Sequence, residues 1–208
     1  MGPVIGLVGF IGSGKGTAGD ILSEMGYAKE SFAKGVKDTA SVMFGWDRKL
    51  LEGDTEESRK WRETPDKYWS FKFGRDFTPR EALQKMGTEV GRDVFHKDFW
   101  VFELENRLMF HDTPVVVTDV RFPNEIDWIH SIGGKVIEIQ RDKNPPWYKI
   151  LKATYPEKDY HSRWHIMEDY SVHYSEWAWI GCGIDKVIIN DGTLEDLTNK
   201  LKDVILSI

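Results

Sequence analysis

Residues 9–17 read Gly-Phe-Ile-Gly-Ser-Gly-Lys-Gly-Thr, directly after the apolar run Val4-Ile5-Gly6-Leu7-Val8 and before a stretch with helical spacing. The chemistry open to this pattern is the capture of a polyphosphate. A strand delivers the chain to a glycine-rich turn whose backbone N–H groups point inward at an anion, and the positive end of the next helix adds its field. Gly9, Gly12 and Gly14 remove Cβ atoms that would bar close approach, and Ser13 and Gly16 complete the loop. Lys15 is long enough to reach the β- and γ-phosphates of a nucleotide. Thr17, one place later than the hydroxyl residue of the commonest P-loop, is the hydroxyl candidate for Mg2+.

A second candidate is Asp119, expected to end the apolar strand 115–120, where a carboxylate helps to hold Mg2+, usually through water. Arg121 stands two residues on, so strand alternation would put both side chains on one side. A catalytic pair and a structural ion pair both fit. Asn124 suits a helix N-cap, and Glu125 suits fixing Arg121 or the first turn.

Transfer of a phosphoryl group spreads charge over the moving oxygens, so cations matter more than a covalent nucleophile. Arg80 lies in the first turn of a helix signalled by Thr78, Pro79 and Glu81, with Leu83, Met86, Val90 and Val94 along one expected face. Arg92, twelve residues on, is about three and a third turns away and falls on another face. Gly87-Thr88 interrupts this helix, where glycine costs up to about 1 kcal/mol relative to alanine. A ligand approaching the backbone, with Thr88 offering a hydroxyl, and close helix packing each account for it. Asn190-Asp191-Gly192 reads as a turn with Gly192 at positive φ, or as backbone presented to an adenine.

The six histidines show no metal-binding spacing with cysteines or carboxylates. His161 and His165 would share a helix face, but without the glutamate of a metalloprotease helix they read as a surface pair. His173-Tyr174-Ser175-Glu176 is no hydrolase triad by composition alone, and Ser175 suits an N-cap or a lid contact.

These residues need a scaffold, and the chain supplies an α/β one. Strands are expected at 3–8, 27–32, 115–120, 135–139 and 186–189, with helices at 16–25, 36–44 and 124–131 between them. A last helix follows a possible capping box of Thr193 and Asp196, with Leu194, Leu197, Leu201, Val204 and Ile205 at helical spacing. The alternation implies a mostly parallel five-stranded sheet flanked by helices, with its site at the carboxyl ends of the strands. The chain of 208 residues reads as a single domain with insertions at about 46–79 and 142–174, either of which suits a mobile lid or arm. Net charge is −6, which argues against stable nucleic-acid binding. No run approaches the roughly 18 apolar residues of a membrane span. The lone Cys182, and a Met1 leading straight into the first strand, point to a reducing cytoplasm. The nine tryptophans suit packing, with planar ligands as the other use.

The glycine-lysine-glycine-threonine ending of the loop is the variant of nucleoside monophosphate kinases, and other stretches extend the likeness. They are 32–38, Leu83 to Arg92, Phe99-Trp100-Val101, Asp119-Val120-Arg121, 173–176 and Ile189-Asn190-Asp191-Gly192. On these the chain resembles the deoxynucleoside monophosphate kinases of bacteriophages. The resemblance implies a P-loop kinase core with inserted substrate-binding and lid segments, which moves the γ-phosphate of ATP to a deoxynucleoside 5′-monophosphate with Mg2+. Gly12, Ser13, Gly14, Lys15, Gly16, Thr17 and Asn190 would then hold ATP, and Thr17 and Asp119 the metal. Lys37, Arg62, Arg80, Gly87, Thr88, Trp100, Asp119 and Arg121 would surround the monophosphate, with Lys15, Asp119 and Arg121 catalytic. Arg141 and Arg163 are the lid candidates. The location would be the cytoplasm, a host's if the source is viral. Dephospho-coenzyme A or another small metabolite as acceptor, a non-catalytic ATP-binding switch, and a monomer or homodimer all remain open in the sequence.

Overall fold

The computed structural model of the chain describes residues 2–141, 144–154, 160–170 and 172–207, and of residues 160–162 the backbone alone. In chain order the elements are β1 (Val4–Val8), α1 (Lys15–Glu24), β2 (Ala28–Glu30), α2 (Ala33–Phe44), α3 (Glu56–Glu63), α4 (Lys67–Phe73) and α5 (Pro79–Lys85). A π-helical segment (Met86–Phe95), α6 (Phe99–Leu108), β3 (Val115–Val117), α7 (Pro123–Ser131), β4 (Lys135–Gln140) and α8 (Pro146–Ala153) follow. The chain closes with α9 (Tyr160–Glu168), a 3-10 turn (Tyr174–Glu176), β5 (Lys186–Ile189) and α10 (Leu194–Ser207). Two compact units result, Met1–Ser31 with Leu108–Ile208, and Phe32–Arg107.

The first unit holds the sheet, in the order β2-β3-β1-β4-β5, with every neighbouring pair parallel. β1, β3, β4 and β5 are short runs rich in β-branched residues, as suits strands covered by helices on both faces, whereas β2 reads Ala-Lys-Glu. On one face Ile5, Leu7, Val116, Ile137 and Ile139 meet Ala18, Ile21 and Leu22 of α1 and Leu197 and Leu201 of α10. On the other, Ile126 and Ile129 of α7 are fully buried. After β1 the chain moves to β2 and β3 on one side, then to β4 and β5 on the other. That reversal opens a crevice at the carboxyl end of β1, where such sheets bind ligands.

Three local expectations change here. β3 ends at Val117, so Asp119 stands in the following turn, not on the strand. The α7 helix begins at Pro123, which places Asn124 inside the first turn and not at the cap. Gly192 keeps an ordinary φ, and its small size makes room for Asp196, whose carboxylate would lie 2.5 Å from a Cβ there. The capping box itself is reciprocal: Thr193 N donates to Asp196 at 2.8 Å, and Asp196 N donates to Thr193 Oγ1 at 3.2 Å.

Four aromatic residues of 144–180, Trp147, Tyr148, Trp177 and Trp179, are core groups of this unit, whereas Trp164 and Tyr170 are exposed. Trp177 and Trp179 are fully buried, and Trp147, Tyr148 and Trp179 pack around Phe10 of the glycine loop with ring centroids 5.4–5.9 Å apart. Tyr155 and the side chains of Tyr160 and His161 lie outside the described residues. His165 pairs with Glu168 across one turn of α9, and no metal-binding cluster occurs among the described residues.

The second unit is helical. Residues 46–79, expected as a lid or arm, form the α3 and α4 helices and build its core with Val36, Ala40, Met86 and Trp100. Phe44 stacks on Trp46 at 4.4 Å, and Asp66 both caps α4 through Trp69 N and accepts from Trp46 Nε1, each at 2.9 Å. The Trp46 bond, and that of Trp69 Nε1 to the Phe44 carbonyl at 3.0 Å, satisfy the polar ends of packed indoles, which is why so aromatic a stretch can fold inward. The expected single helix over 78–94 starts as predicted, with Thr78 Oγ1 accepting from Glu81 N at 3.1 Å. It then widens into the π-helical segment, whose i→i+5 bonds break the 3.6-residue register. Val90 and Val94 therefore face outward, 45 % and 73 % exposed, and the face arithmetic that separated Arg80 from Arg92 does not apply.

Candidate active site

The glycine loop joins β1 to α1. Gly9 takes φ 141°, and a Cβ there would lie 2.3 Å from the Ile139 carbonyl oxygen of β4. Gly14 caps α1 at φ 100°, where a Cβ would lie 2.3 Å from Asn190 Nδ2. Asn190 uses that amide to donate to the Ser13 carbonyl at 2.9 Å, so the loop after β5 pins the loop after β1. Among the described residues no side chain caps the head of α1, and no acid lies in its first turn. Its N–H groups and dipole thus remain available to an anion.

Lys15 turns back and donates to the carbonyls of Gly9 at 2.6 Å and Phe10 at 2.8 Å. Burial brings its ammonium down to about 8, Arg121 pushes the same way, and Glu176 and Asp119 oppose them. Lys15, Asp119, Arg121 and Glu176 accordingly share one electrostatic neighbourhood at the carboxyl edge of the sheet. Arg121 is held at both ends. Its backbone N donates to Glu125 Oε2 at 2.8 Å, and its Nη1 pairs with Glu176 Oε1 at 2.5 Å and Ser175 Oγ at 3.4 Å. Glu125 also accepts from Phe122 N at 3.1 Å, the anchoring role expected of it. Ser175 sits inside the 3-10 turn, which His173 caps, so it is not itself the cap.

Thr17 is exposed in the first turn of α1, and Asp119 is half-buried. One hydroxyl and one carboxylate are hard oxygen donors, the set that suits a Mg2+ ion coordinated mostly by phosphates and water. A cavity of about 300 Å3 opens beside the loop, lined among others by Phe10, Ser13, Arg141, Asn144, Trp147 and Glu176. Ser13 Oγ and Asn144 Oδ1 are buried without a hydrogen-bond partner among the described residues. Of the two lid candidates, Arg141 is exposed, whereas Arg163 is 5 % exposed, donates to the Ile180 carbonyl and stacks over Trp177. Arg163 is therefore a packing residue and not a lid arginine.

The remaining predicted residues lie in the Phe32–Arg107 unit. Lys37 donates to Glu52 at 2.6 Å, and Arg48 pairs with both Glu52 and Asp38. Arg62 lies flat against Gly53, where a Cβ would fall 1.9 Å from its Nη2. Burial and the neighbouring Arg80 both lower the Arg62 pKa, against the weaker pull of Glu63 and Glu52. Its Nε is buried with no acceptor among the described residues, while Arg80 donates to Glu63 at 2.7 Å. Two guanidiniums thus lie within each other's electrostatic reach. Gly87, at the start of the π-helical segment, accepts from Trp100 Nε1 at 2.8 Å through its carbonyl, and Thr88 is exposed. Trp100 is buried, so it supports this backbone from behind. A Cβ at Gly87 would meet nothing closer than 3.9 Å, whereas one at Gly91 would strike the Trp100 ring at 2.4 Å. Close packing therefore explains Gly91 and does not explain Gly87.

Residues 66–201 match the family model for deoxynucleotide monophosphate kinase. The chain belongs to this family. It is 36 % identical over 151 residues to a protein of Acanthamoeba polyphaga mimivirus named as a deoxynucleotide monophosphate kinase, covering 66 % of this chain and 74 % of that one. It is 29 % identical over 177 residues to the deoxynucleoside-5′-monophosphate kinase of Escherichia phage T5, covering 60 % and 70 %. Among solved structures, dephospho-CoA kinase from Campylobacter jejuni aligns over 98 % of this chain and 96 % of its own at 16 % identity and a TM-score of 0.37, too distant to bear on the acceptor. This deoxynucleotide monophosphate kinase also carries groups that sequence reasoning gave no role. Glu176 and Gly53 are the main ones, and each touches an arginine that the sequence did single out. The stretch 173–176 carries part of the family likeness, but nothing local joins its carboxylate to Arg121, 55 positions away.

Proposed function

We propose that this kinase moves the γ-phosphoryl group of ATP to a deoxynucleoside 5′-monophosphate, giving ADP and the deoxynucleoside diphosphate. A phosphate loop alone would suit any nucleotide hydrolase. The observation that carries the reading is the separate cation pair of Arg62 and Arg80, in which Arg62 Nε is buried without an acceptor among the described residues, because an acceptor phosphate needs its own charge neutralisation. On this reading the loop from Gly12 to Thr17 binds the triphosphate, with Asn190 holding Ser13 in place. An acceptor phosphate oxygen attacks the γ-phosphorus as its bond to the β-phosphate bridging oxygen breaks, and ADP leaves. Lys15 and Arg121 stabilise the charge on the transferring oxygens. Thr17 and Asp119 would hold Mg2+, which when bound neutralises phosphate charge. Lys37, Arg62, Arg80, Gly87 and Thr88 would seat the acceptor, and Trp100 would brace Gly87. No helix among the described residues is long and apolar enough to cross a membrane, and a small-molecule acceptor needs no macromolecular partner.

Incubating the enzyme with ATP, Mg2+ and each of the four dNMPs or their ribo-counterparts, with ADP release coupled to a colour reaction, tests this directly. Monophosphate-dependent ADP formation is the expected result. ATP binding with no stimulated turnover would point to a switch, and turnover only with dephospho-coenzyme A to another acceptor. Either would overturn the proposal.

A further inference from the structure

We propose that Glu176 is a positioning residue for phosphoryl transfer, holding the Arg121 guanidinium beside Lys15 through the Arg121 Nη1–Glu176 Oε1 ion pair. This rests on the function proposed above. An arginine in a loop has many rotamers, and reaction requires one of them before the phosphoryl group begins to move. Two anchors restrict Arg121. Glu125, 1 % exposed, fixes its backbone N–H, and Glu176 fixes the far end of its side chain.

The carboxylate is itself held in a built frame. Glu176 closes the 3-10 turn, its carbonyl accepts from Trp179 Nε1 at 3.1 Å, and the next residue, Trp177, is 1 % exposed. Ala178 N donates back to the Tyr174 carbonyl at 2.9 Å, and the Tyr174 ring lies 5.5 Å from that of Phe122, the neighbour of Arg121. Ring contact thus sets the turn against the loop, and the ion pair completes the alignment. The charge has a second use. Lys15 and Arg121 repel one another, and Glu176 and Asp119 are the carboxylates whose fields oppose that repulsion.

The test is a double-mutant cycle on the full chain, made from Glu176→Gln, Arg121→Ala and the double variant, each assayed for dNMP-dependent ADP formation. If the unaltered enzyme forms no ADP with any dNMP, the proposed function fails and this inference with it. With an active enzyme, Glu176→Gln is expected to lower kcat by about 10- to 100-fold, the scale of a misplaced catalytic group, with KM for ATP within about twofold. The double variant should then be no slower than Arg121→Ala, because the positioning by Glu176 has no object once Arg121 is gone. A Glu176→Gln enzyme with undiminished kcat, or losses that multiply in the double variant, would overturn the proposal. Multiplying losses are what a merely structural role predicts. Should Glu176→Gln fail to fold, Glu176→Asp carries the same cycle, and undiminished kcat or multiplying losses there decide against the inference equally.

Discussion

Asn190 Nδ2 donates to the Ser13 carbonyl oxygen at 2.9 Å, tying the turn after the last strand to the loop after the first. Both residues are buried, so the bond has no water to replace it. Asn190→Ala should cost about 1–3 kcal/mol, because it leaves a buried carbonyl unpaired. KM for ATP should rise more than kcat falls, since the loop loses its brace and not its cation. Urea unfolding together with steady-state kinetics reads both, and an unchanged KM would separate Asn190 from nucleotide binding.

Lys15→Ala should lower kcat by at least about 100- to 1000-fold, the usual loss when one preorganised donor to the developing charge is removed. The fold should persist, because the lysine bonds only to carbonyls of its own loop. Coupled assay and circular dichroism on one preparation test the pair of claims. Near-normal turnover would remove Lys15 from the chemistry.

Arg62→Ala and Arg80→Ala should each raise KM for the dNMP by about 10- to 100-fold, the scale of a lost charge-assisted hydrogen bond. KM for ATP should stay within about threefold. Arg62 should matter more, since Arg80 already shares its charge with Glu63. Equal effects on the two substrates would count against an acceptor role.

Gly87→Ala and Gly91→Ala separate packing from ligand approach. Gly91→Ala drives a methyl group into the Trp100 indole and should destabilise the chain. Gly87→Ala meets open space and should gain up to about 1 kcal/mol from helix propensity. If Gly87→Ala nevertheless loses affinity for the dNMP, a substrate needs that backbone bare. A stable variant with normal dNMP kinetics would return Gly87 to a structural role.

Glu138 predicts a pH dependence of stability. Burial in the sheet pushes its carboxyl up, and the Tyr148 hydroxyl and Lys152 ammonium only partly oppose this. Its folded pKa therefore exceeds the unfolded value of about 4.3, so the folded chain binds the proton more tightly. Its favourable contribution is complete below that unfolded value and disappears as pH rises through the folded one. Glu138→Gln should abolish this component and leave the variant more stable than the parent at pH 7. Urea midpoints between pH 4 and 8 check it, and parallel curves for the two proteins would refute the sign.

Much of the scaffold was legible because its signals are local. All five strands overlap their expected spans, four of them on β-branched runs, and Gly9, Gly14 and Lys15 form the loop that their spacing announced. Thr78 and Thr193 cap helices as their downstream acids foretold. What stayed hidden depends on distant partners. The widening of the helix after Lys85 has no signature in a 3.6-residue period, and it turned two valines expected inside toward solvent. Arg163 looks like any lid cation until Ile180 and Trp177 close over it. The tie between Arg121 and Glu176 spans too much chain for any motif to contain.

Because Lys15 already grips the carbonyls of Gly9 and Phe10, an incoming anion has to outcompete two oxygens built into the enzyme. On the proposed function, a chain of phosphates would repay that exchange by reaching several N–H groups of the loop at once.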